Sequence, residues 1–192
     1  LLLQDVEDEW VQIAALSASS SQAPALLDVV LGNFKKEVPA YASLVRRLTS
    51  MIGAAGEPGA ISQLIQRATN VGPDNQSDWQ GQALEGLALG LENKKMRTSV
   101  SETETKILIN TFFDHPSPSV RRASMHLLKV TGIKNEMLTK DAIGKAVAII
   151  KDKNQGDDKR AEAIDFISLR DPSPYAPLLT KLITPTEALS IQ

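Results

Sequence analysis

One arrangement of residues recurs along the chain at intervals of 34 to 40 residues. A small or apolar residue that is expected to face inward stands at each equivalent position: Ala14, Leu48, Ala83, Ala123 and Ala163. Four of these five are preceded, six positions earlier, by a residue suited to capping a helix: Asp8, Ser77, Ser117 and Asp157. Such self-similarity is typical of stacked helical units, because a single unit cannot bury its apolar face alone. The recurrence therefore predicts an array of helical hairpins.

Apolar residues within the units follow the period of an α-helix. Ile143, Ala146, Val147 and Ile150 fall at positions i, i+3, i+4 and i+7. No stretch alternates apolar and polar residues between hairpin turns, so strands are not expected. We predict an all-α fold, a HEAT/armadillo-like α-solenoid of antiparallel helix hairpins that forms a single array over residues 1–192. Its helices are predicted over residues 8–19, 24–33, 39–54, 59–69, 77–92, 101–113, 117–131, 138–151, 157–168 and 175–183.

The helix boundaries carry start and stop signals. Ser101 and Glu104 have the spacing of a capping box, in which each side chain bonds the other residue's backbone N–H. Gly56 is placed to end one helix in the left-handed conformation. Gly86 and Gly90 stand four apart in ALEGLALGL, and they are expected to let two helices approach closely. Prolines suited to a first helical turn begin others: Pro24, Pro39, Pro58 and Pro118.

Composition limits the possible functions. The net charge is −2, from 21 Lys and Arg against 23 Asp and Glu, so no broad positive field would attract nucleic acid. Cysteine is absent, which excludes disulfides, thiolate metal sites, iron–sulfur clusters and thioether haem attachment within this sequence. No apolar run reaches the roughly 18 residues that a membrane span requires. Neither nucleic-acid binding nor membrane insertion by this segment is therefore expected.

The two histidines are candidate metal ligands, and a metal site would need carboxylates such as Asp114 beside them. His115 lies in a DHPSP turn and His126 within a predicted helix, without the paired spacing or the HExxH pattern of metal sites. The alternative is that His115 is a turn residue and His126 faces solvent. We predict no catalytic, cofactor-binding or metal-binding residue in the chain.

Two tryptophans and two pairs of arginines are the candidate interaction residues. Trp10 and Trp79 each stand four residues before the inward position of a unit, where they form either a ligand platform or a packing contact. The arginine pairs also occupy equivalent positions, and they either bind anions along the inner helices or pair with acidic residues of neighbouring units. Arg121 and Arg122 are expected to reach the surface. The full set is Arg46, Arg47, Arg121, Arg122, Trp10 and Trp79.

Three strings carry a more specific resemblance: DEWVQIAAL (8–16), LTSMIGAAGEP (48–58) and DWQGQALEGLALGL (78–91). They resemble the HEAT-repeat region of bacterial haem-binding, membrane-bound dehydrogenase-type proteins of the kind found in Planctomycetes and Bacteroidetes. That family joins a β-propeller, a HEAT region and a cytochrome c domain with a CxxCH motif. No CxxCH occurs in this sequence, and Ala55 stands where the family commonly has Arg, so no family site residue carries over.

The resemblance implies a spacer within a larger extracytoplasmic protein. The chain would then be an excised segment, with haem c only in a separate domain and with the propeller and cytochrome domains as its partners. The alternative is a stand-alone, cytoplasmic HEAT adaptor that binds a protein or peptide on its inner helices. An enzyme such as a HEAT-type DNA glycosylase is disfavoured, because the chain is acidic and lacks a basic groove around a carboxylate.

Overall fold

The computed structural model describes residues 3–72, 78–93, 100–184 and 187–191. Every regular element in these ranges is helical, so the predicted all-α fold is confirmed. Two short 3₁₀ turns, Ser20–Gln22 and Ser173–Tyr175, accompany the α-helices. The α-helices are α1 (Glu9–Ala18), α2 (Ala23–Gly32), α3 (Pro39–Ala55), α4 (Pro58–Thr69), α5 (Asp78–Glu92), α6 (Glu102–Asp114), α7 (Pro118–Thr131), α8 (Glu136–Lys151), α9 (Asp157–Ile167) and α10 (Ala176–Thr180).

Most predicted helix starts are confirmed. The Asp8 carboxylate accepts hydrogen bonds from the backbone N–H groups of Trp10 (2.8 Å) and Val11 (3.2 Å). The capping box is formed, with the Ser101 N–H donating to Glu104 over 2.7 Å. All four prolines lie within the first two residues of their helices, where no N–H donor is required: Pro24, Pro39, Pro58 and Pro118.

Two predicted caps have a different outcome. Asp157 does not cap α9, because Gly156 occupies the capping position and Asp157 is the first helical residue. An acidic side chain in the first turn still interacts favourably with the positive end of the helix dipole. Asp157 therefore marks the start of α9, but as its first residue and not as its cap. Ser77 lies outside the described residues.

The chain divides into two compact units, Leu1–Thr131 and Gly132–Gln192. In the first unit α3, α5 and α7 pack in succession, so alternate helices form one row. The other helices pack against this row, α2 on α3, α4 on α5 and α6 on α7, and α4 also contacts α6. Fully buried leucines fill the space between these helices: Leu44, Leu48, Leu84, Leu87, Leu108 and Leu127.

Four of the five predicted inward positions are buried: Leu48, Ala83, Ala123 and Ala163. The prediction for Ala14 is wrong, since Ala14 is exposed. The buried side chains of α1 are Gln12 and Leu16, which lie on a different face of the helix.

The contact between α3 and α5 is the most extensive of the described helix pairs, and glycines make it possible. A Cβ at Gly86 would overlap Thr49 Oγ1 and the Arg46 carbonyl oxygen, and one at Gly90 would overlap the Ser50 carbonyl oxygen. From the other side, a Cβ at Gly53 would lie 2.7 Å from the Leu87 carbonyl oxygen. The predicted role of Gly86 and Gly90 is confirmed.

In the second unit α8 packs on α9, and a buried arginine links them to the last described segment. Arg160 Nε donates to the Ile150 carbonyl oxygen (3.1 Å), and Nη1 donates to Glu187 Oε2 (2.8 Å). The hydrogen bond from Arg160 holds the pKa of Glu187 below its usual value. Only 5% of the Arg160 side chain and 10% of the Glu187 side chain are exposed. This ion pair therefore ties residue 187 to α9.

Gly86→Ala is expected to lower the free energy of unfolding by about 1–3 kcal/mol, because the new methyl group must push α5 away from α3. Gly59→Ala in α4 is the matched control, since a Cβ there meets no atom within 4 Å. It should be neutral or stabilising by up to about 1 kcal/mol. Urea denaturation followed by circular dichroism measures both. Equal free energies of unfolding for the two variants would show that α3 and α5 do not approach each other closely at Gly86.

Glu187→Gln is expected to destabilise the second unit near neutral pH and to have little effect in acid. The pKa of Glu187 is lowered in the folded state, so its stabilising contribution is present above the unfolded pKa and is lost as pH falls through the folded pKa. Urea denaturation at about pH 7 and about pH 3 tests this. Asp165→Asn, at an exposed position of α9, is the control. A difference between wild type and Glu187→Gln that stays constant with pH would contradict the ion pair.

Candidate functional site

An apolar groove opens to solvent between α1, α3 and the end of α5. Its volume is about 680 Å³. It is lined by Ile13, Leu16, Ser17, Ser43, Arg46, Arg47, Ser50, Met51 and Leu89. The groove exists because α1 contacts α3 only sparsely, whereas α3 and α5 are in backbone contact.

Long side chains connect α1 to α3 across this space. Gln12 Nε2 donates to the Val6 carbonyl oxygen (2.6 Å) and lies 3.5 Å from that of Ala40. Glu9 on α1 forms an ion pair with Arg47 on α3. Neither Gln12 nor Glu9 is part of the groove lining, in which Ile13 of α1 and Met51 of α3 keep solvent-exposed surface.

Apolar side chains at the groove remain exposed to solvent. Ile13 is 42% exposed, and Met51 and Leu89 are partly exposed. Trp10 is 80% exposed and lies one helical turn before Ile13, on the same side of α1. A contiguous exposed apolar patch of this kind is typical of an interaction surface, whereas single exposed apolar residues are common on any protein.

The two arginines at the groove are each paired with a carboxylate that is not part of its lining. Arg46 Nη2 lies 3.6 Å from Glu85 Oε1, and 47% of the Arg46 side chain is exposed. Arg47 Nη2 pairs with Glu9, while Arg47 Nη1 is buried without a hydrogen-bond partner. No acidic residue is among the described residues that line the groove, so the charged groups of this lining are the two guanidinium groups, and their paired carboxylates lie outside it.

These arginines match the predicted pairing with acidic residues of neighbouring helices. Arg46 on α3 pairs with α5, and Arg47 on α3 pairs with α1. The groove thus brings together Arg46 and Arg47, with Trp10 beside it. It does not include the other predicted interaction residues, Arg121, Arg122 and Trp79.

The expectation that Arg121 reaches the surface is wrong, because only 6% of this residue is exposed. Its Nη1 donates to the carbonyl oxygens of His115 (3.0 Å) and Pro116 (3.2 Å). These hydrogen bonds stabilise the turn between α6 and α7. Arg122, the next residue, is exposed as predicted.

The two tryptophans are not equivalent. Trp79, the second residue of α5, is partly buried, whereas Trp10 is among the most exposed large side chains of the described chain. The packing interpretation of Trp10 is therefore wrong. Its position beside the groove leaves the ligand-platform interpretation as a prediction.

The histidines have separate structural environments. His115 is buried at the end of α6, where Nδ1 accepts a hydrogen bond from the Ser117 N–H (3.1 Å). Burial lowers the pKa of His115, so its ring is neutral at neutral pH. His126 is partly exposed, and its Nδ1 lies 2.8 Å from Glu85 Oε2. Among the residues that the structure describes, no group of three His, Asp or Glu side chains is arranged to hold a metal ion.

Three serines line the groove, and Ser17 Oγ donates to the Ile13 carbonyl oxygen. Neither a histidine nor a carboxylate is found in the described lining, so these hydroxyls have no adjacent general base.

Three apolar residues of the groove, Ile13, Met51 and Leu89, are not among the predicted interaction residues. A usable signal existed on α1, where Trp10, Ile13 and Ser17 share one face at i, i+3 and i+7. Met51 and Leu89 have no comparable signal, because each is adjacent in sequence to a buried apolar residue, Ile52 or Ala88, and the sequence does not show which of the two is exposed.

None of the helices in the described ranges combines the length and the hydropathy needed to cross a bilayer. No protein-family model, curated protein or solved structure matches the chain.

Proposed function

We propose that the chain is a non-catalytic docking segment, a HEAT/armadillo-like stack of helix hairpins whose contact surface is the groove between α1, α3 and α5. The single observation that carries this proposal is the solvent-open apolar groove with two arginines in its lining. Docking surfaces of scaffold proteins combine an apolar centre with polar groups at the margin, because the apolar area supplies affinity and the charges supply orientation.

The packing of the first unit supports the stacked-hairpin part of the proposal. Alternate helices α3, α5 and α7 form one row, and α4 and α6 pack on α5 and α7 while contacting each other. In a solenoid each unit contacts its neighbours in this way and leaves the sides of the rows available to a partner. Helix starts marked by Asp8, Ser101 and Pro118 recur through the unit, as expected for related hairpins.

The place of this segment in a larger protein is a second part of the proposal. The three strings that resemble the haem-binding dehydrogenase-type proteins form α1, the corner from α3 to α4, and α5. Ile13, Met51 and Leu89 of the groove each belong to one of these strings. We therefore propose that the partners are propeller and cytochrome domains of the same extracytoplasmic protein, where haem c would be bound. A stand-alone adaptor would use the same groove for another protein.

Ile13→Glu is expected to abolish binding of partners that use the groove, because it places a buried charge in the apolar contact. Peptides of about 15 residues, roughly four helical turns, are selected from a displayed library against the wild-type chain. Their dissociation constants are then measured on both the wild type and the variant.

Val29→Glu on α2 is the matched control. Val29 is 52% exposed, comparable to Ile13, but it lies outside the groove. The selected peptides should bind this variant as they bind the wild type. Selected peptides that bind Ile13→Glu with unchanged affinity would show that the groove is not the contact surface.

A further inference from the structure

We infer that the occupant of the groove is an amphipathic helix of the partner, with an apolar ridge in the groove and a carboxylate beside the ridge that binds Arg46 and Arg47. This inference rests on the proposed docking function and specifies the chemistry of the partner. Three features of the groove support it: its shape, the charge of its wall, and the arrangement of its ion pairs.

The shape of the groove suits a helix. It lies between two helices, and side chains at i, i+3, i+4 and i+7 of a third helix form a ridge that packs into such a space. This ridge spans about 10 Å at about 1.5 Å per residue, which fits beside the ten residues of α1, about 15 Å long. Ile13, Met51 and Leu89 would contact the ridge.

The charge of the groove selects the residues beside that ridge. Two guanidinium groups line the groove with no acidic residue among its described lining, so a carboxylate beside the ridge meets hydrogen-bond donors, whereas a lysine there meets no carboxylate of the lining. Arginine binds carboxylates through two parallel hydrogen bonds, which would also fix the direction of the helix. The apolar lining and the two arginines thus call for an acidic amphipathic helix.

The existing ion pairs allow a partner carboxylate to compete. The Arg46–Glu85 pair is long, at 3.6 Å, and both side chains are partly exposed. Glu85 also has a second contact, since its other carboxylate oxygen lies 2.8 Å from His126 Nδ1. If Arg46 turns toward a partner, Glu85 therefore keeps the contact with His126. On Arg47, the buried Nη1 has no hydrogen-bond acceptor and would gain one after a small movement of the side chain.

Two synthetic peptides test this inference. Both have the same leucine ridge at i, i+3, i+4 and i+7 on an alanine and glutamine background. They differ only at two positions beside the ridge, which are Glu in one peptide and Lys in the other. Binding of each fluorescently labelled peptide to the full chain is followed by anisotropy. The Glu peptide should bind at least about tenfold more tightly, and raising salt from about 0.05 to 0.5 M should reduce this preference.

Arg46→Gln and Arg47→Gln should each reduce the preference for the Glu peptide, and Arg122→Gln should leave it unchanged. Arg122 is exposed on α7 and lies outside the groove, so it controls for a loss of positive charge in general. Thermal unfolding confirms that each variant is folded. Arg46→Gln alone decides the matter if loss of the Arg47–Glu9 pair unfolds the other variant.

Equal affinity for the two peptides, a preference that survives Arg46→Gln, or no binding of either peptide would overturn the inference. Decanoate is a third ligand to be tested, because it combines a carboxylate and an apolar chain without a helix. Arginine-dependent binding of decanoate in the absence of peptide binding would identify a small amphiphile as the occupant and contradict the helical partner. In each of these cases the docking function itself is still judged by whether library-selected peptides respond to Ile13→Glu.

Discussion

The close approach of α3 and α5 is the contact on which the rest of the first unit depends. Gly53, Gly86 and Gly90 bring the two backbones together, because a Cβ at any of them would meet main-chain atoms of the opposite helix. Glycine within a helix costs about 0.5–1 kcal/mol relative to alanine, so three glycines in one interface represent a substantial local cost. The burial of Leu48, Leu84 and their neighbours offsets that cost.

The groove forms because α3 packs closely against α5 but contacts α1 mainly through side chains. On one side α3 meets α5 through its backbone, while on the other it is linked to α1 by the Glu9–Arg47 ion pair. The contact of α1 with α3 is also much less extensive than that of α5 with α3, and a groove open to solvent lies beside it. The same helix therefore contributes both to the core and to the proposed docking surface, and Arg46 and Arg47 project from the region where the two roles meet.

Local signals made the helices predictable, whereas exposure depended on tertiary contacts. Asp8 and Ser101 cap the helices that directly follow them, and Gly86 and Gly90 lie on one face of a single helix. Because these features are local, they could be predicted from the sequence. Ala14 was misplaced because the periodicity of α1 does not reveal which face meets α3. Arg121 was misplaced because its equivalence to Arg46 concerns only sequence position. The Arg121 guanidinium group donates to carbonyl oxygens of the turn between α6 and α7, and these hydrogen bonds keep the side chain buried.

Methyl NMR of the full chain during titration with the acidic leucine-ridge peptide locates the contact surface residue by residue, so it shows whether the groove is the docking site. We predict that shifts concentrate on the methyl groups of Ile13, Leu16, Met51 and Leu89, while the exposed Val29 of α2, outside the groove, stays unchanged. Shifts at Val29 of the same size as those at Met51, or shifts absent from the groove, would contradict the assignment of the contact surface.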